Sequence, residues 1–211
     1  MSLKEDTYKN IKNRIITNEL KAGQQLYEKE LMKEYSIGRT PLREIFHDLQ
    51  RDGLIEILPK LGTKVVSLDL KVLKETIQLR RELEGLAAKL ATRKINAEQL
   101  ALFEDYLKQA EAISDHDPDA EKELARIDVS IHNMIYRIAD NEQLSHIIKI
   151  LLDKMTMYWF QSGCTVSEFR EEMDEFRALY KAMIRGDANE ARQIMKGHID
   201  HFAKLITSHM F

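Results

Sequence analysis

Apolar residues recur at every third or fourth position along most of the 211-residue chain, which is the period of an amphipathic helix. In the first segment they predict a helix over about residues 5–20 that ends before Lys21-Ala22-Gly23. A shorter helix is predicted over about 27–35, and the tight turn Ser36-Ile37-Gly38 follows it. The pattern predicts a third helix directly after that turn.

The third helix has the clearest limits in the sequence. We expect Thr40 to cap its start, since proline's fixed φ at Pro41 suits the first helical turn, and we expect Gly53 to end it. Arg43 lies on its polar side. The apolar face consists of Leu42, Ile45, Phe46 and Leu49.

Two runs with strand character follow, over residues 54–58 and 63–66, and Pro59-Lys60-Leu61-Gly62 connects them as a hairpin. Three helices followed by a hairpin predict a winged helix-turn-helix. In that fold the helix after the turn enters the major groove of DNA. We therefore assign residues 1–67 to a DNA-binding domain.

From residue 69 onward the strand pattern stops and helical periodicity continues through six segments separated by turn residues. The segments cover about 69–93, 97–114, 118–139, 142–161, 166–185 and 188–209. They predict an all-α antiparallel helical bundle over residues 68–211, so the whole chain is predicted to be mostly α. The Met and aromatic cluster at 155–160 is assigned to packing.

Composition narrows the class of protein. With 44% hydrophobic and 32% charged residues, the chain suits a globular protein and not a disordered one. No apolar stretch approaches the roughly 20 residues of a membrane span, and the N-terminus lacks the apolar core of a secretory signal. We therefore expect a cytoplasmic protein with no membrane partner. A lone Cys164 excludes an intrachain disulfide and is interpreted as an inert apolar residue.

The charge is unevenly distributed and permits nucleic acid as a partner of the first domain, although the charge by itself is weak evidence. Residues 1–67 carry a net charge of +2 and the remainder −5. At the tip of the third helix, arginine can bond guanine, while lysines on either side can hold the DNA backbone. The alternative is that these are ordinary surface cations. The predicted DNA contacts are Lys29, Arg39, Thr40, Arg43, Lys60 and Gly62.

One spacing in the second domain suggests a metal site. Asp128 and His132 are four residues apart and so lie on one face of a helix, where a carboxylate and an imidazole can share a metal ion. His198, in the last predicted helix, is the candidate third ligand. The alternative is that Asp128 and His132 form a pair on the solvent side of the helix and that His198 is incidental.

The first domain contains a set of motifs with a characteristic order. They are Leu20-Lys21-Ala22-Gly23-Gln24-Gln25-Leu26, Glu30-Leu31, Gly38-Arg39-Thr40-Pro41-Leu42-Arg43-Glu44, Leu49, Asp52-Gly53-Leu54 and Gly62-Thr63-Lys64-Val65. In these motifs the domain resembles the GntR family of regulators. The resemblance implies that the chain binds a palindromic operator as a dimer. Gly38 stands where a Ser or Thr that can touch DNA is usual.

The second domain contains three separated signatures. They are Arg80-Arg81-Glu82-Leu83-Glu84-Gly85-Leu86-Ala87-Ala88, Asp128-Val129-Ser130-Ile131-His132, and Ala178-Leu179-Tyr180-Lys181-Ala182-Met183-Ile184-Arg185-Gly186-Asp187 with His198. In these signatures the domain resembles the FadR-like effector domain of the same family. Its six predicted helices are similar to the VanR-like branch, which implies a small organic acid as effector.

The resemblance also implies a divalent metal ion of the Zn or Ni type. Many members have a further His in the fifth helix of this domain, where Phe176 stands here, so Asp128, His132 and His198 are the remaining ligands. Arg80 is our candidate for binding the effector carboxylate, because its planar fork suits one. The alternative for Arg80 is a salt bridge to Glu84, one turn along the helix.

Three functions compete at this stage. The leading one is an effector-responsive DNA-binding regulator, a repressor, that acts as a homodimer. A metal-dependent enzyme would use the same three ligands, but the sequence pairs no general base with them. A ligand-free architectural DNA-binding protein, whose helical domain only dimerises, is the third.

Overall fold

The computed structural model describes residues 2–67, 69–163 and 165–209. The chain divides into two compact units. The first comprises Met1–Leu70 with Asp153–Gln161, and the second comprises Lys71–Leu152 with Ser162–Phe211. The interpretation of Cys164 lies outside the described residues.

The first unit is a winged helix-turn-helix, as predicted. Its helices are α1 (Leu3–Ile16), α2 (Glu28–Glu34) and α3 (Arg39–Arg51), and its strands are β1 (Gln25–Leu26), β2 (Ile55–Leu58) and β3 (Gly62–Val65). The strands form an antiparallel sheet in the order β1-β3-β2, with Ile55 opposite Val65 and Leu58 opposite Gly62. Strand β1 is not predicted by the hydrophobic pattern, because a strand of two residues is too short to show an alternation.

Helix α1 is offset from its predicted limits at both ends. A capping box between Ser2 and Glu5 starts it at Leu3. The predicted end near residue 20 is wrong, because Thr17 caps the helix and Asn18 has a left-handed φ of 57°. Leu20 is buried, with 5% of its surface exposed, so its apolar character reflects packing from the loop after the helix.

Helix α3 starts two residues earlier than predicted. Its N-cap is Gly38, in an extended conformation and with no side-chain cap, so the predicted capping role of Thr40 is wrong. Thr40 is the second helical residue and is exposed, because the chain already turns into the helix where Leu42 N donates to Gly38 O. At the other end, Gly53 has a φ of +73°, which few side chains tolerate. The predicted apolar face is buried.

The second unit is all-helical, which confirms the predicted bundle. The six helices lie within two residues of the predicted limits. They are α4 (Leu70–Thr92), α5 (Ala97–Ala112), α6 (Ala120–Ala139), α7 (Glu142–Ser162), α8 (Val166–Ile184) and α9 (Ala188–Ser208). The segment 153–161 of α7 is grouped with the first unit. No helix among the described residues is long and apolar enough to cross a membrane.

Turn chemistry explains where these helices begin and end. Capping boxes at Asn96 and Thr165 start α5 and α8, and Asp140 ends α6 in a left-handed conformation with a φ of 53°. Apolar faces of α5, α6, α8 and α9 pack together in the core. Within the 155–160 cluster, Met155, Met157, Tyr158 and Trp159 are buried, as expected for a packing role.

Candidate functional site

The predicted DNA contacts on α3 lie at its exposed N-terminal tip. The side chains of Arg39 and Arg43 are each 60% exposed, and both approach Glu28, the first residue of α2. Arg43 Nε donates to Glu28 Oε1 at 2.8 Å, and Arg39 Nε lies 3.6 Å from Glu28 Oε2. Thr40 is exposed beside them. An acidic residue of the neighbouring helix therefore holds the two arginines together at the tip.

The wing between β2 and β3 is a tight turn with two left-handed residues. Leu61 N donates to Leu58 O at 3.1 Å, and Lys60, with a φ of 65°, is exposed at the turn. Gly62 has a φ of +98°, and a Cβ added there would lie 2.3 Å from Gln25 Nε2. Lys29 is exposed on α2. The structure thus leaves the predicted backbone-binding lysines accessible.

The helical unit brings the three predicted metal ligands together. Asp128 and His132 lie on α6 and His198 lies on α9. The two Nε2 atoms are 3.3 Å apart, and Asp128 Oδ1 lies 3.7 Å from His132 Nε2 and 4.0 Å from His198 Nε2. The histidine side chains are only 1% and 3% exposed. His132 and His198 are therefore buried side by side, which contradicts the alternative of a pair on the solvent side of the helix.

A carboxylate faces the other ring nitrogen of each histidine. His132 Nδ1 lies 2.6 Å from Glu84 Oε2, and His198 Nδ1 lies 2.9 Å from Glu175 Oε2. A carboxylate only accepts hydrogen bonds, so these partners assign a hydrogen to each Nδ1 and leave each Nε2 with its lone pair. Metal-binding histidines in proteins are commonly oriented in this way.

The two facing Nε2 atoms fit a metal ion. Lone pairs directed at each other repel, so the pair needs a positive centre between them, either a proton or a cation. Zn–N bonds of about 2.0–2.1 Å in tetrahedral geometry place ligand atoms about 3.3 Å apart. The His132–His198 separation of 3.3 Å matches this spacing, and Asp128 Oδ1 lies somewhat beyond it, at 3.7 and 4.0 Å from the two Nε2 atoms. The donor set of two imidazoles and one carboxylate suits Zn or Ni.

Glu84 connects the site to Arg80 and Tyr136. Arg80 Nε donates to Glu84 Oε1, and Tyr136 donates through its hydroxyl to Glu84 Oε2 at 2.7 Å. Burial alone would raise the pKa of the Glu84 carboxyl, but attraction by Arg80 and His132 outweighs burial and holds that pKa well below its ordinary value. Arg80 thus forms the ion pair that was the alternative to effector contact.

Phe176, at the position where the resemblance placed a fourth ligand, forms an apolar wall of the site. Its ring centre lies 4.5 Å from that of His198 and 5.3 Å from that of His132. Only 1% of its surface is exposed. Phe176 offers no lone pair, so this side of the site cannot contribute a metal ligand.

Two family models match the chain and together cover most of it. The model for bacterial regulatory proteins of the gntR family matches residues 3–65, and the FCD domain matches residues 75–201. The chain is a GntR-family regulator with an FCD domain.

Similar proteins are transcription regulators too. The HTH-type transcriptional regulator YdhC of Bacillus subtilis (strain 168) is 24% identical over 92% of this chain and 86% of its own length. The HTH-type transcriptional repressor RspR of Escherichia coli (strain K12) is 25% identical over 96% of this chain and 88% of its own. The solved structure of E. coli McbR/YncC covers both chains completely with a TM-score of 0.87 at 20% identity, which shows a shared fold. By its two family models, the chain belongs with these transcription regulators.

Several polar residues of this regulator's buried site were not predicted from the sequence. They share a helical spacing with residues that were found: Tyr136 is four residues after His132, and Glu172 is four before Phe176. Glu172 is 1% exposed, and burial together with the charges of Asp128 and Glu175 raises its pKa well above the ordinary value. Extending the Asp128–His132 spacing by one turn would have found Tyr136.

Proposed function

We propose that this GntR-family protein is an effector-responsive repressor that binds a palindromic operator as a homodimer. In this proposal the FCD domain holds a divalent metal ion and a small organic acid, and their binding changes the affinity for the operator. The observation that carries the ligand-binding part is the pair of buried Nε2 atoms 3.3 Å apart, each on a ring whose Nδ1 faces a carboxylate.

The DNA-binding part rests on the tip of α3. Arg39 and Arg43 would read base edges in the major groove while Thr40 bonds a phosphate. Lys29 and the wing residue Lys60 would hold the backbone on either side. The exposure of both arginines and their shared partner Glu28 support this assignment, because a side chain that is accessible and held in place is suited to reading a base.

A winged helix reads only a half-site, so a palindrome rewards a two-fold symmetric dimer. An apolar stripe on α4 supports a dimer through the helical domain. Leu79 and Leu86 are seven residues apart on one face and are 54% and 37% exposed. Exposed leucines at this spacing are typical of a helix that packs against a second copy.

Asp128, His132 and His198 would hold the metal ion, and Phe176 leaves one side of it without a protein ligand. A bound divalent ion supplies positive charge that an effector carboxylate can bind. That charge matters, because Arg80 is buried against Glu84 while Asp128, Glu172 and Glu175 surround the histidines. In this proposal Arg80 neutralises part of the negative charge near the effector.

Fluorescence anisotropy on an operator duplex, selected with the wild-type protein from random sequences, tests the proposal. Chelator-treated protein is titrated with and without Zn²⁺ and with acetate, succinate or citrate. We expect two chains per duplex, and an operator affinity that changes when Zn²⁺ and one of the acids are present together. The change should be lost in His132→Ala and kept in His146→Ala, an exposed histidine of α7. Operator binding that is identical under all conditions would support the architectural alternative.

A further inference from the structure

A second group of potential metal ligands lies next to the first, between α8 and α9. It consists of Glu172 and Glu175 on α8 and His201 on α9. One ligand atom from each residue lies within 4.8 Å of the others. None of the three is among the ligands considered above, so the group has no role in the proposed function beyond orienting His198.

The two carboxylates each divide their oxygens between two histidines. Their Oε2 atoms face His198 Nδ1, at 3.0 Å from Glu172 and 2.9 Å from Glu175. Their Oε1 atoms face His201 Nδ1, at 3.6 Å and 3.1 Å. The Oε1 atoms and His201 Nδ1 therefore form a three-atom group on the side away from the His198 contacts.

Glu172 makes this group more than an acidic cluster. Its side chain is 2% exposed, yet neither of its oxygens accepts a hydrogen bond within the described chain. His198 Nδ1 is close to Glu172 but has only one hydrogen, which it donates to Glu175. His201 Nδ1 also lacks a hydrogen-bond partner there. A buried carboxyl group without a hydrogen-bond partner is costly, and a cation coordinated by it removes that cost.

We propose that Glu172, Glu175 and His201 form a second divalent-cation site, distinct from the site of Asp128, His132 and His198. Two carboxylate oxygens and one imidazole nitrogen suit a divalent transition-metal ion such as Zn²⁺ or Mn²⁺. His201 is 28% exposed, which gives the ion access from solvent. His198 lies between the two sites, with Nε2 toward the first and Nδ1 hydrogen-bonded to Glu175 beside the second.

Equilibrium dialysis of chelator-treated full-length protein against Zn²⁺, with bound metal measured by mass spectrometry, tests the proposal. We expect two ions per chain in wild type and one in His201→Ala and in Glu172→Gln. Asp174→Asn, an exposed carboxylate on the same helix, is the control and should bind two. His201 is partly exposed, so its variant is expected to fold, and circular dichroism of each variant checks this.

The number of Zn²⁺ ions bound per chain shows which of the two proposed sites fails, if one does. If only the second site binds a metal ion, wild type and His132→Ala each hold one ion and His201→Ala holds none. In that case the metal part of the proposed function fails and the second site stands. If wild type and His201→Ala each hold one ion while His132→Ala holds none, the second site is overturned and the first stands.

Discussion

His132 Nε2 and His198 Nε2 face each other at 3.3 Å although the residues are 66 positions apart in the chain. Each imidazole is fixed from behind by a glutamate, His132 by Glu84 and His198 by Glu175. This arrangement keeps two lone pairs directed at one point in an interior from which water is largely excluded. It is the structural basis for the metal-dependent effector site that we propose for this GntR-family regulator.

Removing the Tyr136 hydroxyl is expected to weaken the metal site without removing a ligand. The hydroxyl donates to Glu84 and lies 3.1 Å from His132 Nδ1, so Tyr136→Phe loosens the pair that orients the imidazole. Losing such an outer contact typically lowers metal affinity about 10–100-fold. Isothermal titration calorimetry with Zn²⁺ measures the effect. The control is Tyr180→Phe, which keeps its ring packing on Phe103 and should bind Zn²⁺ like wild type. Equal Zn²⁺ affinities for wild type and both variants would exclude an orienting role for the Tyr136 hydroxyl.

Arg43 and Lys60 are expected to affect DNA binding in different ways. Arg43→Ala should cost about 1–3 kcal/mol at one base-pair position and relax specificity there, because a base contact is lost. Lys60→Ala should weaken binding to all DNA sequences alike. It should also reduce the salt dependence of the binding constant by an amount that corresponds to about one released counterion. Anisotropy titrations at several salt concentrations with operator and random duplexes measure both. Lys108→Ala, an exposed lysine of α5, is the control, and wild-type behaviour of both test variants would refute the docking.

Gly62→Ala is expected to destabilise the wing. A residue with a Cβ in a left-handed conformation costs about 1–2 kcal/mol. At Gly62 the added Cβ also meets Gln25 Nε2, whereas at Gly186, with a φ of +71°, it meets nothing within 4 Å. Urea denaturation should therefore show a larger loss of unfolding free energy for Gly62→Ala than for Gly186→Ala. Equal losses would mean that the Gln25 contact adjusts without cost.

The helices, and the shared helix face of Asp128 and His132, could be predicted from sequence because they depend on local spacing. Periodicity located all six helices of the bundle, and the four-residue spacing of Asp128 and His132 marked one helix face. The partners of the two imidazoles come from other helices, so their pairing depends on tertiary distances that no local pattern contains. The end of α1 was misjudged for a related reason, since Leu20 continues the apolar period but packs from a loop.

The N-terminus of α8 is expected to add a pH-dependent contribution to stability. Glu168 accepts hydrogen bonds from Thr165 and contacts His209. Burial would raise its pKa, but these hydrogen bonds outweigh burial and lower it below the ordinary 4.5. The contribution is therefore fully present above the pKa of the unfolded chain and is lost as pH falls through the folded pKa.

Glu168→Gln should accordingly cost about 0.5–1 kcal/mol near neutral pH. Its difference from wild type should shrink as pH falls below the ordinary value of 4.5. Urea denaturation across this pH range measures both proteins. A difference that stays constant would show that the charge of Glu168 contributes nothing to the cap.

X-ray absorption spectroscopy at the zinc edge tests the metal centre most directly. One equivalent of Zn²⁺ is added to the His201→Ala protein, so that Asp128, His132 and His198 are the one complete ligand group left among the described residues. We expect nitrogen and oxygen neighbours at about 2.0–2.1 Å with outer-shell scattering from two imidazoles. Adding the substitution His198→Ala to this protein should reduce the outer-shell scattering to that of one imidazole. A spectrum without imidazole scattering, or one unchanged by the loss of His198, would contradict the claim that the two facing Nε2 atoms hold the ion.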